Sequence, residues 1–204
     1  VIDVPFSYAE LFETAIKGIR NQNELAQESS EIADFWSMLQ GFQTSGKCIE
    51  KAHYRIRYMK SFRPLSVKED IEFKEARPIL YLNTAAVASL FNSRNAGSTS
   101  NRSNWSTIMS YLKSHASYLG LKQDRFTILL PSGLPDYTID IVNGEQVKKV
   151  KVNRPKALCF DYLQLKETFG LDLETEVVAE VQDMQEEVIT EMQHTFKQNE
   201  FDFT

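Results

Sequence analysis

One segment of the chain has the residue types and the spacing of a phosphate-binding loop. Residues 41–48 fit the pattern G-x-x-x-x-G-K, in which glycine-rich backbone N–H groups and a lysine hold nucleotide phosphates. The next position should offer a hydroxyl to Mg²⁺, but it is Cys48. A helical pattern precedes the segment and a strand-like alternation follows it, which reverses the order that the motif requires. We interpret the segment as a turn that ends a helix. A nucleotide-binding protein with a degenerate loop remains a lesser alternative.

Other residue types that commonly do chemistry are few and scattered. The only cysteines are Cys48 and Cys159, and His53, His115 and His194 are isolated, so the sequence has no zinc-ligand spacing. Two isolated thiols are typical of a reducing cytosol. No Ser, Cys or Lys has neighbours that would activate it as a nucleophile. We expect a cytoplasmic protein with no catalysis of its own, no metal and no cofactor.

Charge is distributed unevenly along the chain. The net charge is −5, but residues 170–204 contain ten Asp and Glu and one Lys, so the remainder carries +4. Residues 47–63 hold six Lys and Arg against one Glu, and residues 145–156 hold five against one. An acidic tail on a basic body is compatible with a polyanionic partner. No apolar run approaches the roughly 18 residues of a membrane span, so no membrane partner is expected.

Helical periodicity appears in the first 45 residues and again in the middle of the chain. Residues 7–42 begin with a capping box and predict one long helix or two in series, whose apolar residues at 11–19 and 32–39 should both be core. Residues 84–94 predict a second helix, followed by a polar connector. Residues 103–115 show the pattern of a third helix, with Trp105, Ile108 and Leu112 on its buried face. This helix is predicted to end near Gly120.

Alternating patterns predict strands on both sides of the third helix. Residues 53–58 place His53, Arg55 and Arg57 on one face, which is either solvated or follows a phosphate backbone. Residues 66–76 are charged and predict a loop before a short apolar run at 78–82. Later strands are predicted over residues 125–130, 137–142, 146–152 and 157–160. Asn143-Gly144 marks a hairpin between the middle two.

This order predicts an α+β protein with a winged helix-turn-helix core. We expect an N-terminal helical segment over residues 1–45, a winged-helix-like DNA-binding domain with an extended β wing over 46–170, and an acidic C-terminal helix over 171–204. The third helix would lie against DNA and the basic hairpin would be the wing. Positively charged and hydroxyl-bearing side chains make up the predicted contacts: Arg55, Arg57, Arg94, Arg102, Ser106, Ser110, Tyr111, Lys113, Lys148, Lys149, Lys151 and Arg154.

Four short segments carry a resemblance to a known family. Residues 34–39, residues 53–56, and Tyr118-Leu119-Gly120 with Phe160-Asp161-Tyr162 resemble the C-terminal region of primase–helicase proteins from Bacteroidetes mobile elements and phages. The resemblance implies a helicase-associated DNA-binding region whose ATPase lies outside this chain. It does not carry over catalysis, because no intact ATP-binding motif is present.

A second class of function remains open. Residues 174–198 are acidic and amphipathic, with apolar residues at heptad-like spacing over about two heptads. Such a segment can pack on its own domain, dock a protein partner or mask a basic surface. The chain is therefore predicted to bind duplex or single-stranded DNA, and the alternative is a protein–protein interaction module that uses the winged fold and the tail.

Overall fold

The computed structural model describes residues 7–95, 104–142 and 145–175, which form a mixed α+β fold with antiparallel sheets. Its helices are α1 Tyr8–Thr44, α2 Thr84–Asn95, α3 Trp105–Ser114 and α4 Tyr162–Phe169. Its strands are β1 Tyr54–Phe62, β2 Ile71–Asn83, β3 Tyr118–Gln123, β4 Phe126–Thr127, β5 Tyr137–Val142, β6 Glu145–Val150, β7 Val152–Asn153 and β8 Lys156–Asp161. These elements belong to one unit, Val1–Leu173, and Glu174–Thr204 is a second unit.

A four-stranded antiparallel sheet with the order β1-β2-β8-β3 forms the centre of the fold. Its two inner strands pair from Ile79↔Asp161 to Asn83↔Ala157. Side chains alternate between the faces of a strand, and here both faces are apolar. Leu80, Leu82, Leu158 and Phe160 belong to one core cluster, whereas Ile79, Tyr81 and Cys159 belong to another. The sheet is therefore covered on both sides.

The larger core lies between the sheet and the four helices. The second half of α1 contributes Trp36, whose ring meets Phe160 of β8 edge-on with centroids 5.3 Å apart. Each of the other helices adds buried apolar residues to the same cluster, and these are Val87, Phe91, Ile108, Leu112 and Leu165. None of the helices in the described ranges is both long and apolar enough to cross a membrane.

The prediction of a helix over residues 7–42 is confirmed, but only its second half is core. Ser7 caps α1 by accepting a hydrogen bond from the Glu10 N–H, and the Glu10 carboxylate accepts one from the Ser7 N–H. Residues 32–39 reach the core as expected. The earlier apolar group does not, since Phe12 is 68% exposed and Ile19 59% exposed. The expectation that residues 11–19 are core is therefore wrong.

Three other boundaries differ from the sequence predictions. The charged residues 71–76 are strand rather than loop, because they pair with the end of β1 through Phe62↔Ile71 and Ser61↔Glu72. Helix α3 ends at Ser114, and the residues up to Gly120 enter β3 instead of continuing the helix. The strand expected over residues 125–130 is reduced to Phe126–Thr127, which pairs with Val152–Asn153.

Strand β3, at the edge of the sheet, passes close to the turn after β1, and a substitution at this contact tests how β3 packs. Gly120 has a φ of +131°, and a Cβ built there would lie 2.7 Å from the Pro64 Cβ. Because both the backbone conformation and the space favour glycine, Gly120→Ala should lower the free energy of unfolding by about 2–3 kcal/mol. Urea denaturation followed by circular dichroism measures this.

The matched control is Gly41→Ala in α1, where an added Cβ meets nothing within 4 Å. Alanine restrains the unfolded chain and favours helix, so this variant should gain about 0.5–1 kcal/mol. Equal stability of Gly120→Ala and the parent protein would contradict the described packing of β3 against Pro64.

Candidate nucleic-acid interface

Helix α3 is held at its start by a cap and along one side by the core. Asn104 accepts a hydrogen bond from the Thr107 N–H at 2.9 Å and another from the Ser106 hydroxyl at 2.6 Å. Ile108 and Leu112 are buried, as their spacing predicted. The local sequence thus fixes both the start of the helix and its rotation about its own axis.

The opposite side of α3 is open, as predicted. Ser106, Ser110 and Lys113 are exposed, while Tyr111 is half-buried and packs against the core. Arg94 is exposed in the last turn of α2. That turn lies beside the start of α3, because the rings of Phe91 and Trp105 have centroids 5.6 Å apart. The structure therefore places the last turn of α2, which carries Arg94, beside the start of α3. Arg102 lies outside the described residues.

The basic hairpin predicted from residues 137–152 is present as the β5–β6 pair, and the turn predicted at Asn143-Gly144 lies outside the described residues. The strands pair in register from Tyr137↔Val150 to Val142↔Glu145. Two of its lysines are neutralised by the neighbouring strand segment. Lys149 pairs with Asp140 at 3.1 Å and Lys151 pairs with Asp136 at 2.8 Å. The sequence-based charge count covered residues 145–156 and missed these two aspartates.

The other two cations predicted for the wing, Lys148 and Arg154, are exposed. The Lys148 Nζ lies 4.0 Å from the centroid of the Tyr137 ring, and Arg154 is exposed. A cation over an aromatic face keeps its charge and can still contact an anion. The hairpin region is therefore less basic than the charges of residues 145–156 alone indicate, because Lys149 and Lys151 are paired with aspartates.

One face of the hairpin is apolar, and the sequence analysis did not single it out. Directly opposed residues of an antiparallel pair share a face, so Tyr137, Ile139, Ile141 and Val150 lie together with Lys148. Ile139 is 67% exposed and Ile141 75% exposed. Apolar side chains of this kind can wedge between base steps or contact a protein. The alternation of apolar and polar residues along β5 could have indicated this apolar face from the sequence.

The basic face of β1 packs against the segment that follows β3. Arg57 pairs with the buried Asp124 at 3.1 Å, and the Arg55 Nη1 donates to the carbonyl oxygen of Arg125 at 3.1 Å. These partners sit in the segment that carries Phe126 over this face of the sheet. Arg55 and Arg57 are therefore half-buried side chains, each engaged by residues 124–125, and not part of a freely solvated strand face. Their contact with DNA stays a prediction.

The described histidines and cysteines have structural positions. His53, expected on an outward face, is buried, and its Nδ1 accepts a hydrogen bond from the Ile49 N–H at 3.0 Å. Burial lowers the pKa of His53 and also that of His115. Burial raises the pKa of the Cys48 thiol to about 12 and raises that of Cys159 as well. Thiols of this kind are protonated and unreactive near neutral pH.

The described ranges hold neither a cluster of metal ligands nor a phosphate loop. Across them, no three His, Cys, Asp or Glu side chains come together as a metal site. The segment at residues 41–48 is the end of α1, as predicted. Its N–H groups bond back to the helix, with Gly46 donating to Gln43 and both Lys47 and Cys48 donating to Phe42. These N–H groups are therefore not directed at a phosphate.

Comparison with known proteins gives no information on the function of this surface. No family model, no curated protein and no solved structure matches the chain. The resemblance to primase–helicase C-terminal regions therefore stays a prediction, and any function has to be argued from the geometry of this chain.

Proposed function

We propose that this chain is a non-catalytic DNA-binding module of the winged helix-turn-helix type, acting within replication or mobilisation machinery. The observation that carries the proposal is the strand order β2-β8-β3, with α2 and α3 between β2 and β3 and the β5–β6 hairpin between β3 and β8. Helix-turn-helix proteins of the winged type share this order of elements. Strand β1 extends the sheet at one edge.

The chemistry of the exposed residues favours contacts to the phosphate backbone. Ser110 can donate a hydrogen bond to a phosphate oxygen, and Arg94 and Lys113 can supply charge near it. The Ser106 hydroxyl donates to Asn104 and would have to leave that cap to do the same. Lys148 and Arg154 would supply charge from the wing. Contacts of this type set position and carry no base information. We therefore propose binding that depends on salt and is nearly independent of sequence.

A first test reverses charge on this surface. The double variant Arg94→Glu/Lys113→Glu should bind duplex DNA at least about tenfold more weakly at low salt and should lower the salt slope by about one for each phosphate that is no longer neutralised. Lys148→Glu/Arg154→Glu should behave alike. Fluorescence anisotropy with several duplex sequences and with single strands measures both effects. All sequences should be affected equally.

The matched control is Lys17→Glu/Arg20→Glu, which makes the same change of charge on the exposed first half of α1. Its affinity should stay within about twofold of the parent chain. A parent chain that binds neither duplex nor single strands, or binds with an affinity that ignores salt, would refute the proposal, because neutralised phosphates must release counterions.

A protein–protein interaction module is the second candidate. The uncovered apolar face of the β5–β6 hairpin favours it, as does the neutralisation of Lys149 and Lys151 by aspartates. Ile139→Ser/Ile141→Ser separates the two functions. Loss of a protein partner with unchanged DNA affinity supports the interaction module, whereas loss of DNA affinity assigns the apolar face to nucleic acid.

A further inference from the structure

The first half of α1 extends beyond the body that its second half helps to form. Glu28 accepts a hydrogen bond from the Ser114 hydroxyl at the end of α3, and the Phe35 ring lies 6.1 Å from that of Trp105 at the start of α3. The two helices thus run antiparallel, and residues 8–27 continue past the end of α3. Nineteen residues of helix, 8–26, cover about 28 Å at about 1.5 Å per residue.

This segment has the pattern of a helix that packs against another helix. Tyr8, Phe12, Ala15, Ile19, Gln22 and Ala26 repeat at alternating spacings of four and three. These are the a and d positions of a heptad, and they form a seam. The flanking e and g positions are also uncharged and are occupied by Ala9, Leu11, Ile16, Gly18, Asn23 and Leu25.

The charged residues of the segment lie away from the seam. Five of them occur between positions 8 and 26, all at heptad positions b and f: Glu10, Glu13, Lys17, Arg20 and Glu24. The seam itself is open in the described structure, where Tyr8 is 94% exposed and Phe12 68% exposed. A helix with only water around it gains nothing from an uncharged face of this width.

We propose that residues 8–26 of α1 pair with the same segment of a second copy of this chain, in antiparallel orientation. Centring the pair at residue 17 puts each a position opposite a d position of the partner. Ile19 then packs on Ala15, and Tyr8 packs on Ala26. On the flanks, Leu11 meets Leu25 and Gly18 meets Gly18, which lets the two backbones approach closely.

The side-chain sizes explain the choice of a second copy and of its direction. In the antiparallel pair, large residues lie opposite small ones in the layers that join Ile19 with Ala15 and Tyr8 with Ala26, which favours even packing. A parallel pair would stack Phe12 on Phe12 and Ala15 on Ala15, leaving layers that are alternately crowded and empty. The absence of charge at e and g means that neither direction is opposed by repulsion.

The length of the seam sets the strength to expect. Two paired helices about 28 Å long bury an area near the lower end of the range of about 1,200–2,000 Å² that specific interfaces bury. Area alone does not set affinity, and a seam of alanines and glutamine alternating with a few large residues offers few strong anchors. We therefore expect a dimer that dissociates in the micromolar range. This inference does not depend on DNA binding.

Sedimentation of the full chain across a range of concentrations tests the association. The parent chain should pass from monomer to dimer, and Ile19→Glu should raise the dissociation constant at least tenfold. Arg20→Glu, which changes the next residue on the outward side, should leave it unchanged. Ile19 is 59% exposed, so Ile19→Glu should keep the unfolding midpoint of the monomer.

Single cysteines test the direction of the pair. Gly18→Cys should crosslink readily with a short bifunctional thiol reagent, because the two positions face each other and an added Cβ at Gly18 meets nothing within 4 Å. Tyr8→Cys should not, since its copies lie at opposite ends of the seam. Cys48 and Cys159 are buried and give little background.

Two outcomes would overturn the proposal. A chain that remains monomeric at the highest concentration reached assigns the seam to a different protein. Crosslinking of Tyr8→Cys as efficient as that of Gly18→Cys rejects the antiparallel arrangement. Neither outcome bears on the DNA-binding assay, so the two proposals fail separately.

Discussion

Trp36→Ala is expected to lower the free energy of unfolding by about 3–5 kcal/mol, the usual cost of removing a large aromatic side chain from a core. Trp36 is 1% exposed, and its ring lies edge-on to Phe35 at 5.0 Å and to Phe160 at 5.3 Å. It joins α1 to the inner strand β8 through this ring contact. Urea denaturation followed by circular dichroism measures the change.

Two variants on the same helix sharpen this expectation. Phe12→Ala removes an exposed aromatic side chain and should change the stability of the monomer by less than about 0.5 kcal/mol. Trp36→Phe should cost less than about 2 kcal/mol, because the buried Trp36 Nε1 has no hydrogen-bond acceptor among the described residues and phenylalanine loses no such bond. A loss in Phe12→Ala equal to that in Trp36→Ala would mean that the first half of α1 is packed on the body.

Asp124→Ala should be the most damaging polar substitution, at about 2–4 kcal/mol. Asp124 is buried and pairs with Arg57 at 3.1 Å, and the Arg57 guanidinium also lies over the Tyr81 ring. Removing the carboxylate leaves a charge with little access to water, which costs more than the ion pair itself contributes. The side chain of Arg57 is 34% exposed, so water relieves part of the loss.

The double variant Arg57→Met/Asp124→Leu separates the two costs. It removes both charges and keeps the apolar volume, so it should recover most of the stability that Asp124→Ala loses. Arg57→Met/Asp124→Leu should also keep its affinity for DNA, because Arg57 is engaged within the protein. A double variant as unstable as Asp124→Ala would show that the ion pair is needed for the local fold itself.

The sequence predicted where helices form, but it did not predict which parts of them are buried. Residues 11–19 and 32–39 show the same apolar periodicity, and both are helical. Periodicity reports which side of a helix is apolar and does not report what covers it. Only the second group lies opposite β8, so only that group is buried. The first group became a candidate interface through its exposure.

Electrostatic predictions failed where the partner was distant in sequence. Arg57 and Asp124 are far apart along the chain, and Lys149 finds Asp140 across a hairpin. A count of charges within one segment includes neither aspartate. The open face of α3, with Ser106, Ser110 and Lys113, was predictable because a short helix turns its polar residues away from its own apolar stripe.

Strands were missed when cross-strand pairing outweighed local preference. Residues 71–76 are rich in charge and would form a loop in isolation, yet the end of β1 supplies their partners. Gly120 suggested the end of a helix, but its positive φ belongs to a strand that passes Pro64. β-Structure depends on its neighbours more than helix does, and a single sequence does not show those neighbours.

Gln123 pairs with Lys156, and Thr127 pairs with Val152. These pairs hold together the two ends of the segment that connects β3 to β8. Residues 128–151 therefore leave the body of the fold and return to it at almost the same place. A modest change in their number alters the loop-closure entropy, at a cost in folding free energy well under about 1 kcal/mol. Phe126 and Asp124 lie on the body side of that closure and hold it in place. Insertions and deletions within residues 128–151 should therefore be tolerated while the sheet stays as it is, which makes this hairpin region the part of the fold most free to change in length during evolution.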